Sequence, residues 1–313
     1  LMKIILSIFL FLMLIFIPPA EAADTSIVGQ WHMDNNWQDS SGNGNNGTAY
    51  NGATFSTSAK IGTHAGSFDG VDDYVDVGDI SAVEGIQKIT WETWINPKTS
   101  SVIIGKYDSY VAPHPGGFVI DILNNNKLRL FVSDTSDNRL VAETANPLAE
   151  INQWQYIAVI FDGSQPNAVD KIKIYYNGVN QPLIFTNTYG FSVIPETTKR
   201  FQFGRIRTSD GSQSFFNGLI DEVAIYNRAL TSEEIKAHYD AGSVAKPTVD
   251  SVPSTTTSQT ITLSGTKQAN TAIYINGIQF VPLDSSTTWS GTYTLQAGAN
   301  TLSIIARNSA GNS

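Results

Sequence analysis

Short apolar or alternating runs, separated by Gly, Asn, Asp and Pro, extend from residue 27 to about residue 226. The clearest runs are 74–77, 89–95, 118–122, 128–132 and 156–161. Strands of this length at this spacing, without long helical periods, are typical of antiparallel β-proteins. The pattern predicts an all-β sandwich over this part of the chain.

Two local signals add detail to this prediction. Asn177-Gly178 follows the apolar run 172–176, and this dipeptide suits the positive φ angles of a type I′ hairpin turn. Thr231 and Glu234 have the spacing of a helix capping box, which predicts one helix near the end of this region.

A second, smaller β-unit is predicted from about residue 246, after a linker at 243–247. The composition shifts there to Thr, Ser and Val, and four strand-like runs follow. They are 259–263, 272–277, 289–295 and 300–306. Residues 308–313 are turn-like and no strand follows them, so we expect the chain to be cut short.

Composition narrows the classes of function. The 313 residues allow about two domains, and a hydrophobic content of 41% can fill a core. Acidic residues outnumber basic ones by 28 to 19, giving a net charge of −9, which argues against nucleic-acid binding. The absence of cysteine excludes disulfides, thiol catalysis and zinc-thiolate sites.

The N-terminus has the pattern of an export signal. Lys3 precedes the apolar run 4–17, and Ala20-Glu21-Ala22 is a small-x-small cleavage site. A run of this length is short of the roughly 20 residues that span a bilayer. We therefore expect residues 1–22 to be a signal peptide and the protein to be secreted or held at the cell surface. An uncleaved anchor is the alternative.

Several stretches, in this order, are similar to the laminin G-like, concanavalin A-like jelly-roll family. They are Trp31 with 39–45, then 68–75, 91–95, 154–158, 176–178 and 216–230. The resemblance implies a jelly-roll sandwich over 24–242 that binds sugars or proteins. Residues 261–266 and 306–313 resemble bacterial immunoglobulin-like modules, which implies an immunoglobulin-like β-sandwich over 246–313.

A loop near the N-terminus has the residue types of a calcium site. Asp39, Ser41, Asn43 and Asn45 alternate, with Gly44 at the sixth position, as in the first half of an oxygen-rich calcium loop. Tyr50 stands where an EF-hand needs Glu, so any ion would take its other oxygens from elsewhere. The alternative is a turn held by Asx-type hydrogen bonds.

Asp221 is the predicted partner of this loop. Strand alternation places it on the same face as Val223 and Ile225, and a buried carboxylate is costly unless it is paired or ligated. Arg228 could pair with it. The family resemblance instead implies a structural calcium that joins the N-terminal segment to this late strand, held by Asp39, Asn43 and Asp221.

An acidic run offers a second candidate for metal binding. It comprises Asp69, Asp72, Asp73, Asp76 and Asp79, with Asp69 as the favoured ligand. Turn formation at Asp69-Gly70 is the alternative, and alternation between Val75 and Val77 predicts that Asp76 faces solvent.

Catalysis is not predicted. The chain has no Glu-x-Asp-x-Glu triplet, and alternation would point Asp221 and Glu222 to opposite faces of their strand. The four histidines show no spacing typical of a metal site or triad.

Ligand recognition is predicted in the loop 106–117, because sugar rings stack on exposed aromatic side chains. The candidate residues are Tyr107, Asp108, Tyr110 and His114, with Arg139 or Arg207 nearby. We expect a non-catalytic carbohydrate-binding or adhesive module of an exported bacterial protein. The alternatives are a protein-binding or spacer segment of a surface protein, and an accessory domain of a glycoside hydrolase. The expected partner is a carbohydrate or an extracellular protein, with no membrane span after signal cleavage.

Overall fold

The computed structural model describes residues 24–107, 116–207, 213–244, 247–252 and 256–308. The predicted signal peptide at 1–22 lies outside these ranges. Two eight-stranded sheets, paired antiparallel, form the first part of the chain and enclose one apolar core. This arrangement confirms the predicted all-β jelly-roll sandwich.

The strands of this part are given in chain order. They are β1 (Ile27–Trp31), β2 (Thr48–Tyr50), β3 (Thr54–Ser56), β4 (Ala65–Asp69), β5 (Tyr74–Gly78), β6 (Lys88–Pro97), β7 (Val102–Lys106), β8 (Gly117–Ile122), β9 (Leu128–Ser133), β10 (Arg139–Thr144), β11 (Gln155–Asp162), β12 (Ile172–Tyr176), β13 (Val179–Asn180), β14 (Leu183–Thr188), β15 (Phe201–Phe203), β16 (Arg205–Arg207), β17 (Gln213–Phe215) and β18 (Asn217–Tyr226). Short 3-10 turns occupy Ser81–Val83 and Ala168–Asp170.

The first sheet has the strand order β13-β12-β11-β6-β18-β4-β3, with β1 also paired to β18. The second sheet has the order β14-β10-β9-β8-β7-β15-β5-β2, and β16 and β17 form a separate two-stranded sheet. Alternation along these strands sends large side chains such as Trp31, Trp91, Phe118 and Phe203 into the space between the sheets.

Both predicted local signals are confirmed. Asn177 and Gly178 have φ angles of 50° and 76°, as a type I′ turn between β12 and β13 requires. Helix α1 (Ser232–Gly242) begins with the full capping box: the Thr231 side chain accepts from the Glu234 backbone, and the Glu234 side chain accepts from the Thr231 backbone. Ile235 of α1 is fully buried against the outer face of the first sheet.

The position of Asp76 differs from the one that strand alternation predicted. Its exposed fraction is 6%, and Oδ2 accepts a hydrogen bond from Arg200 Nε at 2.5 Å and one from Gln202 Nε2 at 3.3 Å. The residue lies on β5 between β2 and β15, and those neighbours cover it. The prediction that Asp76 faces solvent is therefore wrong, because the face opposite the core is also covered here.

The described residues of the C-terminal part include five strands in two small sheets. They are β19 (Thr260–Thr266), β20 (Thr271–Ile275), β21 (Ile278–Asp284), β22 (Thr288–Thr294) and β23 (Ile304–Arg307). β19 pairs with β22, while β20 lies between β21 and β23. Leu263, Ile273, Trp289 and Ala306 belong to the core between them. The sequence pattern did not predict β21, and the immunoglobulin-like assignment stays a prediction.

Candidate functional site

Asp221 lies on the outer face of the first sheet. It pairs directly with Trp94 of β6, whose ring belongs to the apolar cluster beneath α1. The register of β18 shifts after Asp221, and Glu222 there has a φ of +52°. This β-bulge reverses the alternation, so Val223 points into the core while Asp221 does not. The prediction that the two share a face is wrong.

The Asp221 carboxylate is fully buried and only partly satisfied. Its Oδ2 accepts hydrogen bonds from the backbone N–H groups of Lys60 at 2.9 Å and Ile61 at 3.0 Å. No described residue donates to Oδ1. Burial, together with the nearby carboxylates of Glu222 and Asp34, raises the pKa of Asp221 to about 8, although the two backbone hydrogen bonds oppose this shift.

The predicted alternative partner of Asp221 is engaged elsewhere. Arg228 pairs with Asp24 and with Glu234, each at 2.9 Å, and also donates to the Ser26 hydroxyl. This network ties the N-terminal segment to the start of α1. Arg228 is therefore not the partner of Asp221, and the described hydrogen-bond donors to the Asp221 carboxylate are backbone N–H groups.

Asp34 lies close to Asp221 because one loop, residues 60–64, holds both. Asp34 Oδ1 accepts hydrogen bonds from the N–H groups of Thr63 at 2.6 Å and His64 at 2.9 Å. The loop thus turns its N–H groups toward two carboxylates, one of which keeps an orphaned buried oxygen. Oxygen ligands of this kind suit a hard cation such as Ca²⁺.

Sequence reasoning missed Asp34. It follows β1, whose pairing with β18 brings it near Asp221. The signal in the sequence is an acidic residue directly after the strand-like segment that begins at residue 27. In the structure Asp34 lies in a turn between Met33 and Asn35, which both have positive φ. The same cluster contains His32, whose Nδ1 lies 2.7 Å from Glu222 Oε2, and the hydrogen bond to Glu222 raises the pKa of His32.

The predicted Asp39 loop is held by hydrogen bonds to backbone groups. Asp39 Oδ1 accepts from the N–H groups of Gln30 and Ser41, and Oδ2 accepts from that of Asn45 at 2.9 Å. The side-chain amide of Asn43 donates to backbone oxygens of β1 at 2.9 and 3.1 Å. The structure therefore brings Asp39 and Asn43 together but shows no hydrogen bond from either to Asp221.

The acidic run forms a compact group at the end of β4. Oxygens of Asp69, Asp72 and Asp73 lie within 4.8 Å of one another. Asp69 Oδ1 accepts from the Val71 N–H at 2.8 Å, as in the predicted turn. Asp73 is 5% exposed, and no described residue donates to its Oδ1. Asp69 stays a predicted metal ligand.

Tyr107 lines a cleft on the outer face of the second sheet. Its ring packs edge-on against Phe131 at 5.2 Å, and Phe131 points outward because its neighbours Leu130 and Val132 point into the core. Asp108, Tyr110 and His114 lie outside the described residues. The cleft has a volume of about 290 Å³ and is lined by Tyr107, Thr198, Lys199, Arg200, Gln202, Arg205 and Arg207.

Of the two arginines expected near this loop, Arg207 lines the cleft, while Arg139 pairs with Asp137 at 2.6 Å. A larger cavity, of about 960 Å³, lies in the C-terminal part between residues 252 and 302. Its described lining contains no charged or aromatic side chain. The cleft beside Tyr107 is therefore the better candidate for recognising a polar ring-shaped ligand.

A further buried carboxylate was not predicted. Glu92, on the outer face of β6, accepts hydrogen bonds from the hydroxyl groups of Tyr156 at 2.6 Å and Tyr226 at 2.8 Å. Burial beside this carboxylate raises the pKa of both tyrosines. Helix α1 covers the group, so Glu92 stabilises the attachment of the helix and does not face a cleft.

The fold agrees with the comparisons to known proteins. The profile of the Laminin_G_3 family, concanavalin A-like lectin/glucanases superfamily, matches residues 69–236. The chain therefore belongs to this family. A comparison with curated proteins finds no match.

Solved structures with a similar fold share little sequence with the chain. Domain 4 of AbnA, an extracellular GH43 arabinanase from Geobacillus stearothermophilus solved with arabinotriose, is 20% identical with a TM-score of 0.51. The match covers 68% of this chain and 97% of that domain. The receptor binding domain of botulinum neurotoxin C/D mosaic serotype is 14% identical with a TM-score of 0.51, over 82% of this chain and 68% of that chain. The binding domain of Paraclostridial Mosquitocidal Protein 1 is also 14% identical with a TM-score of 0.51, over 68% and 52% of the two chains.

Proposed function

We propose that the chain is a non-catalytic carbohydrate-binding module of an exported protein, and that the cleft beside Tyr107 holds the sugar. The observation that carries this proposal is the cleft itself, which combines an aromatic ring with hydrogen-bonding side chains on the outer face of a lectin-like sandwich. Sugar rings stack their apolar faces on aromatic side chains, and polar groups around the ring bind the hydroxyls.

The comparisons support this proposal at the level of the fold. The arabinanase domain, described in complex with arabinotriose, is matched over nearly its whole length. The predicted signal peptide at 1–22 supports export, and hence a secreted or cell-surface location. The chain then comprises a jelly-roll domain over 24–242 and an immunoglobulin-like domain over 246–313. Among the described residues, no helix is both long and apolar enough to cross a membrane.

The positions of the acidic residues favour binding over hydrolysis. Glycoside hydrolysis needs two carboxyl groups about 5–10 Å apart that reach the substrate. Asp221 is fully buried, and Glu92 lies beneath α1. Asp221 and Glu222 were predicted to point to opposite faces of their strand, but the bulge places both close to His32. Glu222 is paired with this histidine. The cleft beside Tyr107 has no acidic residue in its described lining.

A structural calcium is part of the proposal. Asp221 and Asp34 would hold it, because the buried Oδ1 of Asp221 lacks a described donor and Asp34 shares the same loop. The ion would supply a positive charge that balances two buried or half-buried carboxylates and would join the segment after β1 to β18. Asp39 and Asn43 remain the alternative ligands from the sequence, and Asp69 belongs to a separate group.

A glycan array with the full chain tests the function, run with and without calcium. We expect binding to a restricted set of glycans. Tyr107→Ala should weaken that binding about three- to tenfold, whereas Tyr107→Phe keeps the ring and should retain it. Tyr189→Ala is the control, since Tyr189 is a surface tyrosine that packs on a phenylalanine, as Tyr107 does, but does not line the cleft. If no glycan binds in either condition, the spacer or protein-binding alternative replaces this proposal.

A further inference from the structure

The cleft beside Tyr107 concentrates positive charge in an acidic protein. Four of its seven described lining residues are cationic, namely Lys199, Arg200, Arg205 and Arg207, and none is acidic. In the whole chain only 19 of 313 residues are Lys or Arg, and the net charge is −9. The positive charge of the cleft is therefore opposite in sign to the net charge of the protein.

The guanidinium of Arg205 is held in place by an aromatic ring and has no carboxylate partner among the described residues. It lies 4.4 Å from the centre of the Tyr74 ring, which stacks on Tyr50 at 4.8 Å with nearly parallel planes. No described residue accepts a hydrogen bond from its buried Nε, and it forms no salt bridge with a described residue. Stacking on an aromatic ring fixes a guanidinium while leaving its edge donors available for an anion.

Two acidic residues near the cleft, Asp76 and Asp79, are paired with described cations, and one of these, Arg200, itself lines the cleft. Asp76 is bound by Arg200, whose side chain remains 59% exposed, and Asp79 is bound at 2.5 Å by the fully buried Lys106. Lys199 forms no salt bridge with any described residue. Because the Debye length is about 8 Å at physiological salt, the local cations and not the distant acids set the potential in the cleft.

We propose that this cleft selects acidic oligosaccharides, with Arg205 and Lys199 binding a sugar carboxylate while Tyr107 stacks on a sugar ring. The inference rests on the proposed function and specifies its substrate class. A planar guanidinium binds a carboxylate through two parallel hydrogen bonds, and such charged hydrogen bonds are about twice as strong as neutral ones. A neutral sugar of the same shape cannot form them.

Calorimetric titration of the full chain tests this selectivity with paired probes. The pairs are trigalacturonate with its methyl ester and sialyllactose with its methyl ester, so that each pair has the same sugar rings and differs in charge. The two pairs distinguish uronic acids from sialic acids. We expect at least one acidic probe to bind about tenfold or more tightly than its neutral counterpart. The preference should shrink as sodium chloride is raised from 50 to 300 mM, because this shortens the Debye length about 2.4-fold.

Variants separate the role of the cleft from a general effect of charge. Arg205→Gln and Lys199→Gln should each weaken the acidic probe about tenfold, and Arg205→Lys should recover part of the loss. Lys199→Gln does not touch the Tyr74 packing, so it tests the proposal even if Arg205→Gln perturbs the fold. Lys236→Gln, on α1 beside the first sheet, removes the same charge and should change the affinity less than twofold.

Three results would overturn the inference. Equal affinity for acidic and neutral probes would refute the acid selectivity while leaving a carbohydrate-binding function in place. Equal weakening by Lys199→Gln and Lys236→Gln would refute the location in the cleft. A complete lack of sugar binding, in these titrations and on the glycan array, would refute both the inference and the proposed function.

Discussion

Nδ1 of His238 lies 3.0 Å from Oε1 of Glu92, and this contact joins α1 to the sheet beneath it. The hydrogen bond to Glu92 raises the pKa of His238 above its usual value, and the Glu234 carboxylate adds to the effect while Arg228 opposes it. The ring also stacks on Tyr226 at 6.0 Å. The helix is therefore attached through a histidine whose protonated form is favoured by the Glu92 carboxylate.

Stability should depend on pH through this pair. Because the folded pKa of His238 is raised, its contribution is fully present below the unfolded value of about 6.5 and is lost as pH rises through the folded pKa. His238→Gln should cost about 0.5–1 kcal/mol at pH 5.5, the range for a partly exposed ion pair, and almost nothing at pH 8.5. Urea denaturation at three pH values measures this difference. Lys236→Gln should show no such trend, and an equal cost of His238→Gln at every pH would contradict the prediction.

Calcium should raise the melting temperature of the full chain, and a chelator should lower it. A ligand that binds only the folded state raises the free energy of unfolding by about 2.7 kcal/mol when its free concentration is a hundred times its Kd. Asp221→Asn and Asp34→Asn should each remove most of the response, because both are proposed ligands. Asp39→Asn distinguishes the two sets of ligands: loss of the response in this variant would favour the Asp39 loop. The structural calcium would be excluded if neither calcium nor the chelator changed the melting temperature and no ion co-purified with the protein.

Asp76→Ala should destabilise the protein by about 1–3 kcal/mol, because it leaves Arg200 and Gln202 without their shared acceptor and removes a buried group. Chemical denaturation measures the change. Asp240→Ala is the matched control, since Asp240 is exposed and forms only a surface pair with Lys236. It should cost about 0.3–0.5 kcal/mol. Equal effects of the two substitutions would show that Asp76 behaves as a solvent-facing residue.

Gly117→Ala should cost about 2–4 kcal/mol, because a Cβ at this φ of +119° would lie 1.9 Å from the Lys106 carbonyl oxygen. Gly190 offers a control in which the added methyl meets no atom within 4 Å and φ is not in the left-handed region. Gly190→Ala should be neutral or stabilise by up to about 1 kcal/mol. Thermal denaturation of both variants measures the contrast, and similar melting temperatures would contradict it.

Local patterns predicted the features that local interactions decide. Apolar and alternating runs predicted strands such as β5, β6, β8, β9 and β11, Asn177-Gly178 predicted the hairpin, and the Thr231–Glu234 spacing predicted the start of α1. Each of these depends on residues within a few positions of one another, so the information lies in a short stretch of sequence.

The candidate sites depend on contacts between distant segments, so only the tertiary structure shows which residues form them. A bulge at Glu222 moved Asp221 to the outer face, and strand pairing brought Asp34 beside it. The cationic cleft joins Tyr107 to residues about a hundred positions later. The sequence by itself determined the all-β class, many of the strands and some of the side chains that can bind a cation or a sugar, but not β21 or the role of Asp34. Which of them meet depends on strand order, register and bulges, because a shift of one residue moves every following side chain to the opposite face.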